Sequence, residues 1–221
     1  VASRGLGDVY KRQGERAEAA DRVLIATPAP VAGRLLGSLG EDLGSSELSG
    51  AGASLAQVET ADSAVVTAVV ECATELNGSG FLIPPKEPTF IKASTFASNK
   101  WPWLQARIPE GTAVVRMSVG RYRSTELATH TDEELAHKSV ADWMSITGRS
   151  DRVLHTEVWR HMGALPQYQP GHADMVSRVD SAVRTIPTLG LVGNAFEGVG
   201  IPACINRARH EAQRLITERT S

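Results

Sequence analysis

Gly193, Gly198 and Gly200 punctuate the stretch GNAFEGVGIPACINRARHEAQRL, residues 193–215, with Pro202 close behind them. Glycine leaves backbone N–H groups bare, so a flat or charged group can approach to contact distance. Pro202 suits the first turn of a helix, where its missing donor costs nothing. From Ala203 onward, Cys204, Ile205, Ala208, Ala212, Leu215 and Ile216 fall on one helical stripe. With the apolar run Leu189 to Val192 ahead of it, the segment reads as strand, glycine loop and helix N-terminus. That order suits an anion or an electron-rich ring held over the positive end of a helix dipole. A structural turn closing a strand–helix unit is the alternative.

Other chemistry is thinly represented. Cys72 and Cys204 form no CxxC pair, so neither a disulfide framework nor a zinc site is expected, and the usage suits a reducing cytosol. No nucleophile–base pairing, paired carboxylates or metal cluster stands out. A net charge of −2 gives no global basic field for nucleic acid. No apolar run of about eighteen residues occurs, which excludes an ordinary membrane-spanning helix. A length of 221 residues, 42% of them hydrophobic, is enough for one domain or two small ones.

The elements that must position the glycine loop follow from patterning. ADRVLIATPAP (20–30) reads as a short buried parallel strand and turn, then a short helix from Val31 to Leu36. Residues 40–56, small and glycine-rich, read as a loop or weakly ordered crossing. SAVVTAVVECA (63–73) is strand-like, and GSGFLIPPKEP (78–88) ends a strand in prolines. Residues 89–104 alternate and then turn at Asn99 to Pro102. In TAVVRMSVGRY (112–122), Val114, Arg116, Ser118 and Gly120 share one face, and Val115, Met117 and Val119 the other. A helix over 131–148 should start at Thr131 with a capping box to Glu134 and stop at Gly148. Residues 152–168 read as strand into loop, and 171–185 as a second helix. Parallel-type pieces at both ends around a mixed middle imply an α/β (α+β overall) chain whose end-domain is interrupted by an inserted one. The 23–27 and 189–192 strands should share one sheet.

VLIATPAP, GSGFLIPP, ASTFASNKWP, VVRMSVGR, LPQYQPGH and LVGNAFEGVGIPACINRAR occur in that order. From about residue 20 to its end, the chain so resembles the C-terminal half of the protoporphyrinogen/coproporphyrinogen oxidase family, amine-oxidase-like flavoproteins of haem biosynthesis. The resemblance implies FAD as cofactor, a porphyrinogen as substrate, O2 as electron acceptor and the cytoplasm as location. It leaves membrane-peripheral association and homo-oligomerisation open. It divides the chain into a truncated Rossmann-like FAD-binding domain, residues 14–37 and 186–221, and a mixed-sheet substrate-binding domain, residues 38–185. The dinucleotide motif G-x-G-x-x-G is absent; GRLLGSLGEDLG (33–44) lacks its spacing, so a fragment with weak FAD binding and no turnover is expected. VASRGLGDVYKRQ (1–13) resembles translated sequencing-adapter read-through, is expected not to be native, and should be removable without loss of stability.

By the resemblance, Val199, Gly200 and Ile201 lie along the flavin, Gly193 shapes its approach, and Ala26 and Thr27 line the crevice at a strand end. Ala173 holds the column where several relatives carry a flavin-contacting Trp. No residue is assigned a catalytic role, because the cofactor carries the redox chemistry. A flat, apolar substrate edged with propionates needs cations at its rim, and Lys100, Arg116, Arg121 and Arg160 are the candidates. Tyr168, with His161 and His172, could face that pocket. Trp101 and Trp103 read as core or interface aromatics. Gly200→Val should block the ring, and Gly198→Ala should be milder unless its φ is positive. An amine- or polyene-oxidising relative and a non-catalytic tetrapyrrole carrier are the competing readings.

Overall fold

A computed structural model describes residues 19–72 and 74–217, so the segment 1–13 lies outside the described residues. In chain order the first elements are β1 (Val23–Ile25), α1 (Ala29–Leu43), α2 (Ser46–Ala56), β2 (Thr60–Glu71), β3 (Gly80–Leu82) and β4 (Ile91–Phe96). Two helical turns, α3 (Ala97–Lys100) and α4 (Pro102–Gln105), lead to β5 (Thr112–Val119), α5 (Glu126–Thr129) and α6 (Asp132–Thr147). The chain closes with β6 (Val153–Pro166), α7 (His172–Arg184), β7 (Leu189–Leu191) and α8 (Ile201–Thr217).

Two units emerge, one made of the chain up to residue 60 with the chain from residue 165, the other of residues 61–164. Both cuts differ from the expected 37/38 and 185/186, because α2 and α7 bury their apolar faces with the chain ends. Leu48, Leu55, Val179 and Val183 belong to the same buried cluster as Leu36, Leu189 and Leu191.

In the first unit β1 and β7 pair in parallel, Val23 opposite Leu189 and Ile25 opposite Leu191, so the two strands share one sheet as expected. Residues 40–56 are not a loop: α1 runs on to Leu43 and α2 follows at Ser46. Gly44 ends α1 in a left-handed conformation (φ 65°), and Ser45 caps α2 by accepting from the Leu48 N–H at 3.3 Å. The glycines that look like loop formers are contact points between two helices. Cβ atoms built on Gly33 and Gly40 would fall within 2.4 Å of the Ala56 nitrogen and 2.5 Å of the Ser49 nitrogen.

The second unit is a five-stranded sheet in the order β3-β4-β5-β2-β6. The alternation in β5 holds: Val115, Met117 and Val119 are buried, and Arg116 is exposed. Their face meets α6, whose Leu135 and Trp143 are buried and whose Trp143 ring meets Phe96 edge-on at 6.5 Å. The α6 ends are those the sequence dictates, with a reciprocal Thr131–Glu134 capping box and Gly148 at φ 65°.

Candidate functional site

The glycine loop sits where the parallel pair ends. Val192 donates its N–H to the Ile25 carbonyl at 2.9 Å, and Gly193 follows with φ 143°. A Cβ on Gly193 would lie 3.7 Å from the Thr27 carbonyl oxygen, so the ends of β1 and β7 meet at these two residues. The Thr27 hydroxyl is buried with no hydrogen-bond partner. Ala26 beside it is exposed.

The interior of the loop is tied down from several sides. Tyr168 donates its hydroxyl to the Asn194 carbonyl at 2.6 Å, and the hydroxyl oxygen in turn accepts the Gly198 N–H. His172 stacks on Tyr168 with centroids 4.1 Å apart and planes 12° apart, and its Nε2 lies 2.7 Å from the Ala195 carbonyl. Burial pushes the Tyr168 hydroxyl above the ordinary tyrosine range, against the Gly198 hydrogen bond. Cys204 Sγ donates to the Gly198 carbonyl at 3.6 Å.

Arg207, on α8 and only 5% exposed, holds the loop from below. It donates to the Leu191 carbonyl (3.1 Å), to both Asp180 oxygens (2.5 and 2.9 Å) and to Glu197 (3.3 Å), with its guanidinium carbon 4.9 Å from the Phe196 centroid. Burial opposes its charge, but hydrogen bonding and attraction from Asp180 outweigh that and raise its pKa. The apolar stripe expected on α8 holds only in part, with Leu215 buried and Cys204, Ala208 and Ala212 half-buried on that helix. Its buried residues are Arg207, Glu211 and Leu215, while Ile205 and Ile216 are exposed, because the ion pair with α7 sets which side faces inward.

What the loop leaves outward is Val199, Gly200 and Ile201, with Val199 53% and Ile201 76% exposed. Among the described residues nothing accepts their N–H groups; the Gly200 carbonyl takes the Cys204 N–H at 3.1 Å and opens α8. A Cβ on Gly200 would find only Pro202 Cδ, at 3.8 Å. Ala173 is exposed in the first turn of α7, next to His172.

In the second unit the four candidate cations divide. Arg160 donates to Asp132 (2.7 Å), the His130 carbonyl (2.7 Å) and the Leu127 carbonyl, and so staples the α5–α6 connection. Arg121 donates to the Ile83 carbonyl at 3.1 Å, and Lys100 lies 5.3 Å from the Trp101 centroid. Arg116 has no ion pair or side-chain hydrogen bond among the described residues. It stands in a cross-strand row with Thr67 and Thr95, on the sheet face turned away from α6. The two threonines escaped sequence reasoning, since only strand register brings them beside Arg116. Trp103 is exposed, with Arg107 over its ring at 5.7 Å, and is no core residue. His161 is exposed on β6. Tyr168 belongs to the first unit. A cavity of about 720 Å³ in the second unit is lined by Cys72, Leu76, Ser98, Asn99, Pro102 and Thr112, among others, and by none of the four cations.

The Flavin containing amine oxidoreductase family matches residues 4–216. The chain belongs to that family. The match starts inside the segment 1–13. A coproporphyrinogen III oxidase of Mycobacterium leprae is 34% identical over 200 residues, covering 90% of this chain and 41% of that protein. One of Staphylococcus aureus is 31% identical over 220 residues, covering 95% and 43%. The chain therefore spans about two-fifths of the length of the curated relatives it matches. A candidate protoporphyrinogen oxidase from Exiguobacterium superposes with a TM-score of 0.76 at 30% identity, over 97% of this chain and 46% of that one. Its family implies a flavin, and the residues here fit one: a buried hydroxyl without a partner at Thr27, a side-chain-free Gly200 and bare N–H groups before a 17-residue helix.

Proposed function

We propose that the chain is the flavin-end and substrate-binding part of an FAD-dependent porphyrinogen oxidase of haem biosynthesis, acting on coproporphyrinogen III or protoporphyrinogen IX with O2 as acceptor. The observation that carries this reading is the exposed Val199–Ile201 crest, placed by parallel strands β1 and β7 and clamped from behind. The names of the relatives support the substrate class. Bound flavin would supply the redox chemistry, by taking electrons from the substrate.

The chain's own residues bind and orient. The N–H groups of Val199, Gly200 and Ile201, at the positive end of α8, suit a ring that becomes electron-rich. That preference is worth about 0.3–1 kcal/mol when exposed. Thr27 would give its hydroxyl a partner at the same edge, and Gly193 keeps the approach open. Arg116, flanked by Thr67 and Thr95, is the cation for a substrate carboxylate, with Lys100 and Arg121 further candidates.

The test is flavin absorbance per protein after gel filtration of the full-length protein, with porphyrin fluorescence from a porphyrinogen as the activity readout. Flavin with porphyrin production is the expected result. Flavin with amine oxidation only would place the chain with amine-oxidising relatives. Tetrapyrrole binding without flavin would make it a carrier.

A further inference from the structure

We propose that Tyr168 is the positioning residue of the cofactor loop, and that His172 and Arg207 complete a three-sided clamp that sets the Val199–Ile201 crest. The proposal rests on the flavin reading above. One hydroxyl spans the loop: it donates to the Asn194 carbonyl at 2.6 Å and accepts the Gly198 N–H, so it fixes the distance across four residues. Gly198 needs such restraint, because its φ of 138° lies in a region open mainly to glycine. The stacked His172 ring keeps Tyr168 from rotating away and takes the next carbonyl, that of Ala195. Arg207 anchors the strand end at the Leu191 carbonyl and the loop at Phe196 and Glu197. The three side chains come from the two sequence stretches LPQYQPGH and GVGIPACINRAR. Their joint presence is explained by one geometry: the first stretch holds the loop that the second opens into a helix. Preorganised backbone donors need such a support, since a loop free to flex would lose the donor geometry.

Tyr168→Phe removes the hydroxyl and keeps the stack. In the 221-residue chain, hydrogen exchange at the Gly198 amide should speed up about tenfold, the equivalent of one lost hydrogen bond, and by more than at any α7 amide, with the denaturation midpoint falling by no more than that one bond accounts for. In the full-length protein the same variant should lose flavin about tenfold more readily, and Arg207→Lys should restore more retention than Arg207→Met. Unchanged exchange at Gly198 overturns the proposal, as does faster exchange with flavin retention unaltered. A rise in exchange that is uniform over the loop and α7 would mark Tyr168 as merely structural, and also overturns it. Absence of flavin from the unsubstituted protein would overturn the functional reading instead. The exchange measurement needs no flavin and keeps the two failures apart.

Discussion

Gly52 on α2 faces Gly37 on α1 so closely that a Cβ on Gly52 would come within 2.4 Å of the Gly37 nitrogen. Backbone cannot step aside as a flexible side chain can. Gly52→Ala should therefore destabilise the chain by about 1–3 kcal/mol through overpacking. Gly37 is its counterpart with open space, for nothing lies within 4 Å of a Cβ there. Gly37→Ala should stabilise by about 0.5–1 kcal/mol through helix propensity. Urea midpoints of the two variants should move in opposite directions.

Gly198 and Gly200 separate folding from binding in the same way. Gly198 has φ 138°, the positive value that removes the expectation of a mild Gly198→Ala change, and a Cβ there would sit 3.1 Å from that of Ala203. That change should cost about 1–3 kcal/mol of stability. Gly200→Val meets open space and should leave the melting temperature within error while lowering flavin retention. Full retention in that variant would remove Gly200 from the cofactor surface.

Arg207→Met should cost about 3 kcal/mol, because it strands the Asp180 carboxylate in a half-buried place. Asp180→Asn keeps hydrogen-bond acceptance and should cost less. Chemical denaturation of both proteins orders the two effects.

The Glu134 carboxyl lies below the usual glutamate range, held chiefly by the Thr131 N–H and helped by the Thr131 hydroxyl and the charges of His130 and Lys138. A carboxylate depressed on folding stabilises above its unfolded value, and that contribution disappears as pH falls through the folded one. Glu134→Gln should therefore show a smaller fall in melting temperature than the parent as pH drops below about 4.3, the ordinary glutamate value. An equal fall would mean that the capping carboxylate carries no pH dependence.

Arg116→Gln should raise the dissociation constant of a carboxylated porphyrin about tenfold by removing a charge-assisted hydrogen bond, with the fold unchanged. Fluorescence quenching measures it. Equal affinity would move the carboxylate contact to Lys100 or Arg121.

Local signals were legible and distant ones were not. The α6 capping box, the Gly148 stop and the alternation of β5 are written in neighbouring residues, and the structure has all three. The Gly44–Ser45 stop-and-start was equally local. It was obscured by glycines that serve helix contact, which spacing alone does not distinguish from loop glycines. At the candidate site the sequence pointed to the crest, but the clamp depends on a buried arginine whose partner Asp180 is 27 positions away. Nothing near Arg207 marks it as buried, so an apolar stripe through Ile205 and Ile216 looked better than the true face.

The pairing of Val23 with Leu189 has a consequence for biosynthesis. At roughly 5–20 residues per second, a ribosome needs on the order of ten seconds to deliver the second strand after the first. Over that interval β1 has a bare edge, whereas the intervening sheet can close on itself as soon as β6 has emerged. The delay is kinetic more than thermodynamic, since each doubling of the closed loop costs only about 0.6 kcal/mol. The segment that ends at Thr27 is thus made well before the strand it pairs with, which makes it a natural client for a chaperone.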